Sequence, residues 1–439
     1  MCDTLIALNT ATIDNIAIFG KNSDRPPNEG QHLAYFPAAR YAKNSQVKCT
    51  YIEIPQVEKT HAILLSKPFW MWGAEIGIND HGLVIGNEAV FSKMPANKKP
   101  ALLGMDLLRA ALERAETPRA AVQVVIDLLE EFGQGGNCEK DDELYYHNSF
   151  IMANAEDAWV LETVDKQWAA RQIRDLYTIS NCLTLHDQWD LASPDLARLA
   201  VQKGYAKSEQ NFDLARDYSD FTYTKFGKGR DRCATTLNKL SEQRGRISVE
   251  SVMTILRHHN DNNYNPQSGL TGVDVCMHAG FGRIRRSQTT ASMVVRLDRD
   301  APIIFATGTA APCTGIFKPI WMDTASSVDF GDIPGSTANS ESLFWTHEKL
   351  HRATLLNYRE RIQTYAGDRD TLEKRFTQGA LQLLKASARE RADFTAQCFN
   401  EAAQAEKEWL KRVEKIPARR NLIHSTAWNG FNKKAGMVI

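Results

Sequence analysis

The second residue is a cysteine, small enough for an initiator methionine ahead of it to be trimmed. Removal of Met1 would leave Cys2 with a thiol and a free α-amine on one carbon. A free thiol titrates at about 8.5 and an α-amine at roughly 7.7 to 8.0, so near neutral pH neither is far from its reactive form. An amino-terminal side chain activated by its own amine is a nucleophile that needs no histidine. The chemistry this permits is attack on an acyl carbon, with the amine carrying the proton.

A second group is needed to hold that amine. Cys2-Asp3-Thr4-Leu5-Ile6-Ala7-Leu8 reads as a strand buried on both faces and bounded by turn-forming Asp14-Asn15, with Ile16-Ala17-Ile18-Phe19 as its return. Antiparallel pairing about a turn near residues 13 to 15 sets residue 2 opposite residues 24 to 27, within about one residue of Asp24. A carboxylate there can hold the amine and tune its protonation.

The elements that must position these groups follow in order. Glu75 to Ile78 and Leu83 to Gly86 flank the turn Asn79-Asp80-His81-Gly82, a second hairpin. Leu102 to Ala115 has helical spacing, and Thr117-Pro118 caps a helix that stops at Gly133. Phe150 to Ala153, Trp159 to Glu162, Trp168 to Ile173 and Tyr177 to Ser180 read as a meander, and Thr290 to Leu297 with Ile303 to Thr307 as a late hairpin. Runs of strands alternating with helical blocks predict an α+β layered fold over residues 2–330. From about Glu341 to Glu414 the composition turns charged and alanine/leucine-rich, interrupted at Gly367-Asp368. A C-terminal helical hairpin extension over residues 338–439 is expected, reached through Gly335-Ser336-Thr337.

Composition narrows the function. The chain has 439 residues, 43% hydrophobic, with 53 Lys plus Arg against 53 Asp plus Glu. No net field gathers nucleic acid, and no stretch approaches the ~20 apolar residues of a membrane span or has the form of a signal peptide. A cytoplasmic protein with neither nucleic-acid nor membrane partners is expected. The eight cysteines are scattered, with no C-x-x-C and no Cys/His pairing at zinc-ligand spacing, so neither disulfides nor a metal are expected.

With these segments in view, the sequence resembles the secernin and cysteine-dipeptidase branch of the N-terminal nucleophile (Ntn) hydrolases, related to penicillin V acylases and bile salt hydrolases. The likeness runs through Cys2-Asp3-Thr4, Phe19-Gly20-Lys21-Asn22-Ser23-Asp24-Arg25-Pro26, Trp70-Met71-Trp72-Gly73-Ala74-Glu75 and Gly86-Asn87-Glu88-Ala89. It continues in Leu103-Gly104-Met105-Asp106-Leu107, Gly133 to Asn137, Glu156 to Thr163 and Ile316-Phe317-Lys318-Pro319. The resemblance implies a four-layer αββα sandwich with Cys2 opening a central strand. It implies that Asp24 contacts the α-amine, that Asn87 helps form an oxyanion hole, and that Asn181 binds the amine or the tetrahedral oxygen. Arg230 matches the family's later active-site arginine, with Arg232 the alternative by register. Lys21 stands where the related acylases carry an arginine; it keeps the charge and loses the planar fork.

Trp70, Trp72 and Glu75 are candidates to line the substrate pocket, against the commoner reading of an aromatic core cluster. His258-His259 reads as surface or capping histidines, because adjacent rings diverge. The glycine-rich Gly133 to Asn137 follows a helix rather than opening one and so fails as a phosphate loop. The expected function is a cofactor-free cysteine amidohydrolase of dipeptidase type, acting on small peptides or amides, with C-terminal helices that either cover a sheet edge or mediate self-association into a homo-oligomer. The rival is a non-catalytic, secernin-like interaction protein, or an acylase acting on another amide.

Overall fold

The computed structural model describes residues 1–221, 227–261, 263–269, 273–282, 284–419 and 421–439. The chain divides into two units, one of Met1–Phe19, Tyr35–Ser248 and Leu297–Arg299, the other of Gly20–Ala34, Val249–Arg296 and Asp300–Ile439.

In the first unit, strand Cys2–Ala7 is mostly apolar and buried at every position, the polar Asp3 and Thr4 included. It pairs antiparallel with Leu176–Ile179, in register Thr4 with Ile179 and Ala7 with Leu176. The Tyr177 segment therefore leaves the meander it was expected to extend. After Gln167–Gln172 the chain crosses to the other sheet, and the Leu8 N–H donating to the Asp175 carbonyl closes that crossing at 2.9 Å. The meander itself runs Val84–Val90, His147–Ala153, Ala158–Val164, Gln167–Gln172, all antiparallel. On its other side the second hairpin forms as expected, Val84 opposite Ile78 and Gly86 opposite Ile76.

Four layers stack in this unit. Helix Gly229–Glu242 covers the Cys2–Ala7 and Leu176–Ile179 strands. Those strands face Val84–Val90 and His147–Ala153, whose far side carries helices Gly104–Arg114 and Pro118–Phe132. The fold is the αββα sandwich, with a large apolar core between the last two layers that includes Ile85, Leu107, Leu108, Val125, Phe150 and Leu161. The Pro118–Phe132 helix starts and stops where its signals place it. The Thr117 hydroxyl accepts from the Ala120 N–H at 3.3 Å, and Gly133 takes φ 71° past the last turn.

In the second unit, Gln288–Arg296, Ile303–Ala306 and Lys318–Trp321 pair antiparallel, the first two forming the expected late hairpin. Helices Ala366–Gln382 and Ala388–Glu414 pack on Lys318–Trp321, and Val249–Leu256 packs on Gln288–Arg296. The C-terminal region holds more than a hairpin, with Leu343–Leu355, Tyr358–Gln363 and Leu422–Ala435 also helical. Gly367 sits in the first turn of its helix, where its cost is small, and a real boundary falls at Ser387, whose hydroxyl and backbone N–H form a capping box with Glu390. No helix among the described residues is long and apolar enough to cross a membrane.

Asn79 ties the second hairpin to its helix. Its Oδ1 accepts from the His81 and Leu83 N–H groups at 3.0 and 3.1 Å, and its Nδ2 donates to the Leu112 and Ala115 carbonyls at 3.0 and 2.7 Å. Asn79→Ala leaves buried backbone groups without partners and should cost about 3 kcal/mol in chemical denaturation. Asn79→Asp keeps the turn and loses the helix contacts, so its denaturation midpoint should fall between those of Asn79→Ala and the wild type.

Candidate active site

Strand alternation sorts the first residues by face. Thr4 Oγ1 donates to Glu88 Oε1 in the opposing sheet, so Cys2, two residues earlier, turns toward the same inter-sheet layer. Asp3 points the other way, toward helix Gly229–Glu242, and meets Arg232 there.

Arg232 organises this end of the strand. Its Nη1 donates to Asp3 Oδ2 at 2.5 Å and to the Cys2 carbonyl at 3.1 Å, and its Nη2 donates to Asn181 Oδ1 at 2.6 Å. Asn181 Oδ1 also accepts from the nitrogen of Cys2 at 2.8 Å, and Asn181 Nδ2 donates to the Ala89 carbonyl at 2.8 Å. Ser180 Oγ adds a second donor to the Cys2 carbonyl at 3.1 Å. Backbone and side-chain contacts thus fix Cys2 on two sides, and the residue is 4% exposed.

Two devices hold these partners in place. Glu162, fully buried on Ala158–Val164, accepts from the Thr184 N–H and hydroxyl, each at 2.7 Å, and from the Leu185 N–H at 3.0 Å, which anchors the loop carrying Asn181. Gly229 lets helix Gly229–Glu242 start against that loop, since a Cβ there would lie 2.7 Å from the Asn181 carbonyl oxygen.

Of the two arginines left open by register, Arg232 is the one that contacts Cys2 and Asn181. Arg230 is exposed, because two residues turn a helix by about 200° and carry its side chain to the outer face. Asn87 is held by groups on the helix-covered side of its strand. Its N–H donates to the Glu75 carbonyl at 3.2 Å, and its Nδ2 donates to Asn148 Oδ1 at 3.1 Å and contacts Met105 Sδ at 3.5 Å. As the neighbour of Glu88 it occupies the opposite pleat, facing the Gly104–Arg114 helix, where a buried amide chain continues from Asn148 to Gln134 and Thr163.

Trp72 packs on the outer core with the Arg109 guanidinium 4.3 Å from its ring centroid, so it belongs to the helix-covered layer. Glu75 is buried. Asp24 and Lys21 belong to the second unit, within strand Ile18–Arg25 and fully enclosed rather than in a solvated loop. Asp24 Oδ1 accepts from Thr289 Oγ1 at 2.7 Å, and Lys21 Nζ lies 3.5 Å from the Asn22 carbonyl. Glu88 and Glu162 lie in sequence motifs to which no role was attached, although a carboxylate in an apolar strand was the available signal.

Burial pushes the Glu162 carboxyl from an ordinary 4.5 up to about 7, against the lowering effect of its Leu185 and Thr184 donors. A carboxyl that binds its proton more tightly when folded adds stability at low pH and loses it as pH rises. Wild-type stability relative to Glu162→Gln should therefore fall between pH 4.5 and about 7, by an amount on the order of 3 kcal/mol, and level off outside that window. Arg232→Ala strands Asp3 and should cost about 3 to 5 kcal/mol, whereas exposed Arg230→Ala should stay within roughly 0.5 kcal/mol of wild type in thermal melts.

The sequence matches the profile of peptidase family C69 over residues 1–369. Among solved structures, a mutant of the conjugated bile acid hydrolase from Clostridium perfringens aligns at 12% identity and TM-score 0.43, covering 75% of this chain and 94% of that one. Penicillin V acylase from Agrobacterium tumefaciens aligns at 13% identity and TM-score 0.43, covering 73% and 86%. The profile match spans most of the chain and contains the whole Cys2 site: the chain belongs to peptidase family C69, the secernin and dipeptidase family of cysteine Ntn hydrolases.

Proposed function

We propose that this hydrolase is a dipeptidase-type enzyme in which Cys2, freed of Met1, is both nucleophile and base. The observation that carries the reading is the bond from the Cys2 nitrogen to Asn181 Oδ1 at 2.8 Å, beside the Arg232 clamp on the Cys2 carbonyl. In the structure Met1 precedes Cys2 and that nitrogen is a peptide N–H. Cleavage of Met1 would turn it into an amine at the same place, with Asn181 already accepting one of its hydrogens.

The neutral amine takes the thiol proton, and the thiolate attacks the substrate carbonyl. The ammonium then returns the proton to the leaving nitrogen as the C–N bond breaks and a thioester forms. Water, deprotonated by the amine, hydrolyses the thioester, and the acid product leaves with the thiol restored. Arg232 is a positioning residue here, and so is Asn87, whose amide is committed to Asn148. A reducing, cytoplasmic setting fits eight free thiols.

Intact-mass spectrometry should show loss of Met1 and a single fast adduct with a thiol reagent at Cys2. Purified enzyme should hydrolyse dipeptides, and Cys2→Ala should lose ~10³-fold or more in kcat/KM while melting like wild type. A retained Met1 together with dipeptide turnover, or equal turnover by Cys2→Ala, would refute the mechanism. A processed chain inert toward dipeptides and simple amides would instead support a non-catalytic role.

A further inference from the structure

Three segments of the second unit converge on a cluster of cysteines and histidines to which no role has been assigned so far. His259 follows helix Val249–Leu256, Cys276 and His278 precede strand Gln288–Arg296, and Cys313 lies beyond Ile303–Ala306. Each offers one ligand atom, and the four atoms all lie within 4.8 Å of one another. His278 Nε2 is 3.1 Å from Cys313 Sγ and 3.8 Å from Cys276 Sγ. Zinc bonds of about 2.3 Å to sulfur and 2.0 to 2.1 Å to nitrogen put tetrahedral ligand atoms roughly 3.3 to 3.8 Å apart. Opening of the 3.1 Å edge and contraction of the longest edges by up to about 1 Å bring the cluster to that geometry.

From these distances we infer that His259, Cys276, His278 and Cys313 form a structural zinc site. The orientation of His278 is set from behind. Its Nδ1 lies 3.1 Å from His351 Nε2, and His351 Nδ1 lies 2.9 Å from Glu348 Oε1, whose other oxygen accepts from Arg352 Nε at 2.6 Å. An ionised carboxylate only accepts, so His351 donates from Nδ1 and accepts at Nε2. His278 therefore donates from Nδ1, and the lone pair of Nε2 points at the two sulfurs. This is the imidazole tautomer a metal requires, imposed by a buried chain that ends on a carboxylate.

His259 supplies an independent observation. Its side chain is 10% exposed and stacks on Tyr264 at 3.8 Å, yet neither ring nitrogen makes a hydrogen bond, and Asp274 Oδ2 stands 3.9 Å from Nδ1. The Asp274 carboxylate is placed to take the Nδ1 proton, which leaves Nε2 for a metal bond. The reading of His259 as a surface or capping residue is corrected accordingly. Two neutral imidazoles and two thiolates balance a dication, and binding releases the two thiol protons. An S₂N₂ tetrahedron favours zinc, and four protein ligands leave no open position for catalysis.

The ligand segments are assembled without the ion. The Cys276 N–H donates to the His258 carbonyl at 3.1 Å, and Asn22 Nδ2 donates to the Leu256 and Val275 carbonyls at 2.8 and 2.9 Å. A groove lined by Arg257, His258, His259, Asp261 and Tyr264 offers an ion a way in. Met277, between two ligands, exchanges hydrogen bonds with Thr289, the residue that holds Asp24. The zinc would therefore stiffen the backing of Asp24.

The test uses the full chain, purified without a polyhistidine tag under reducing conditions. Elemental analysis should find about one zinc per chain, and Cys276→Ser/Cys313→Ser should carry none. Replacement by Co²⁺ in wild type should give intense tetrahedral and thiolate-to-metal absorption, a readout that does not depend on any variant folding. His351→Gln should weaken Zn²⁺ affinity by ~10- to 100-fold in chelator competition. Wild type that takes up neither Zn²⁺ nor Co²⁺, a cobalt spectrum without thiolate bands, metal retained by the double variant, or a Cys276–Cys313 disulfide in peptide maps would each overturn the inference.

Discussion

A guanidinium is expensive to remove from water, and Arg232 is 1% exposed. The desolvation of such an ion costs several kcal/mol, so it is tolerated only where its donors are matched and its charge is met. Asp3 meets the charge, and the Cys2 carbonyl and Asn181 Oδ1 take further donors. Each of those acceptors is thereby fixed relative to the others. One buried cation consequently sets the backbone of Cys2, the side chain of Asn181 and the approach of helix Gly229–Glu242 to the loop above it. A lysine could balance the charge, but one ammonium lacks the planar spread that reaches three acceptors on two segments.

The period of a strand distributes the chemistry. Cys2 and Thr4 face the opposing sheet, where Glu88 receives the Thr4 hydroxyl, while Asp3 faces the helix and Arg232. The same rule applied to Val84–Val90 puts Glu88 into the inter-sheet layer and Asn87 on the other side, against Met105 and Asn148. Neighbours in sequence thus serve different layers.

Much of this was legible in the sequence because local signals carried it. The apolar run after Met1, the Asn79 to Gly82 turn, the Thr117-Pro118 cap and the stop at Gly133 all lie where chain-local physics puts them. What was hidden depended on three dimensions. The switch of Leu176–Ile179 to the sheet of Cys2 leaves no mark in a strand that reads like its neighbours. The choice between Arg230 and Arg232 needed the rotation of one helix, and the pleat of Asn87 needed its register. Cys276 and His278, Cys313 and His259 come from three separate segments, so no spacing rule for zinc ligands could assemble them.

In the proposed mechanism the site has to keep an amine neutral enough to act as a base yet hold it still. A lone arginine nearby would favour the neutral form by repelling an ammonium, but it would also leave a strong field across the thiol. Pairing Arg232 with Asp3 on the helix side of the strand cancels most of that field before it reaches the inter-sheet layer where Cys2 points. Orientation is then left to Asn181, a neutral acceptor whose oxygen is polarised by Arg232 and whose nitrogen is tied to Ala89. An amide held at both ends cannot rotate to donate to the amine, so the amine meets only an acceptor and keeps its lone pair directed away from Asn181, available to the thiol on the same carbon.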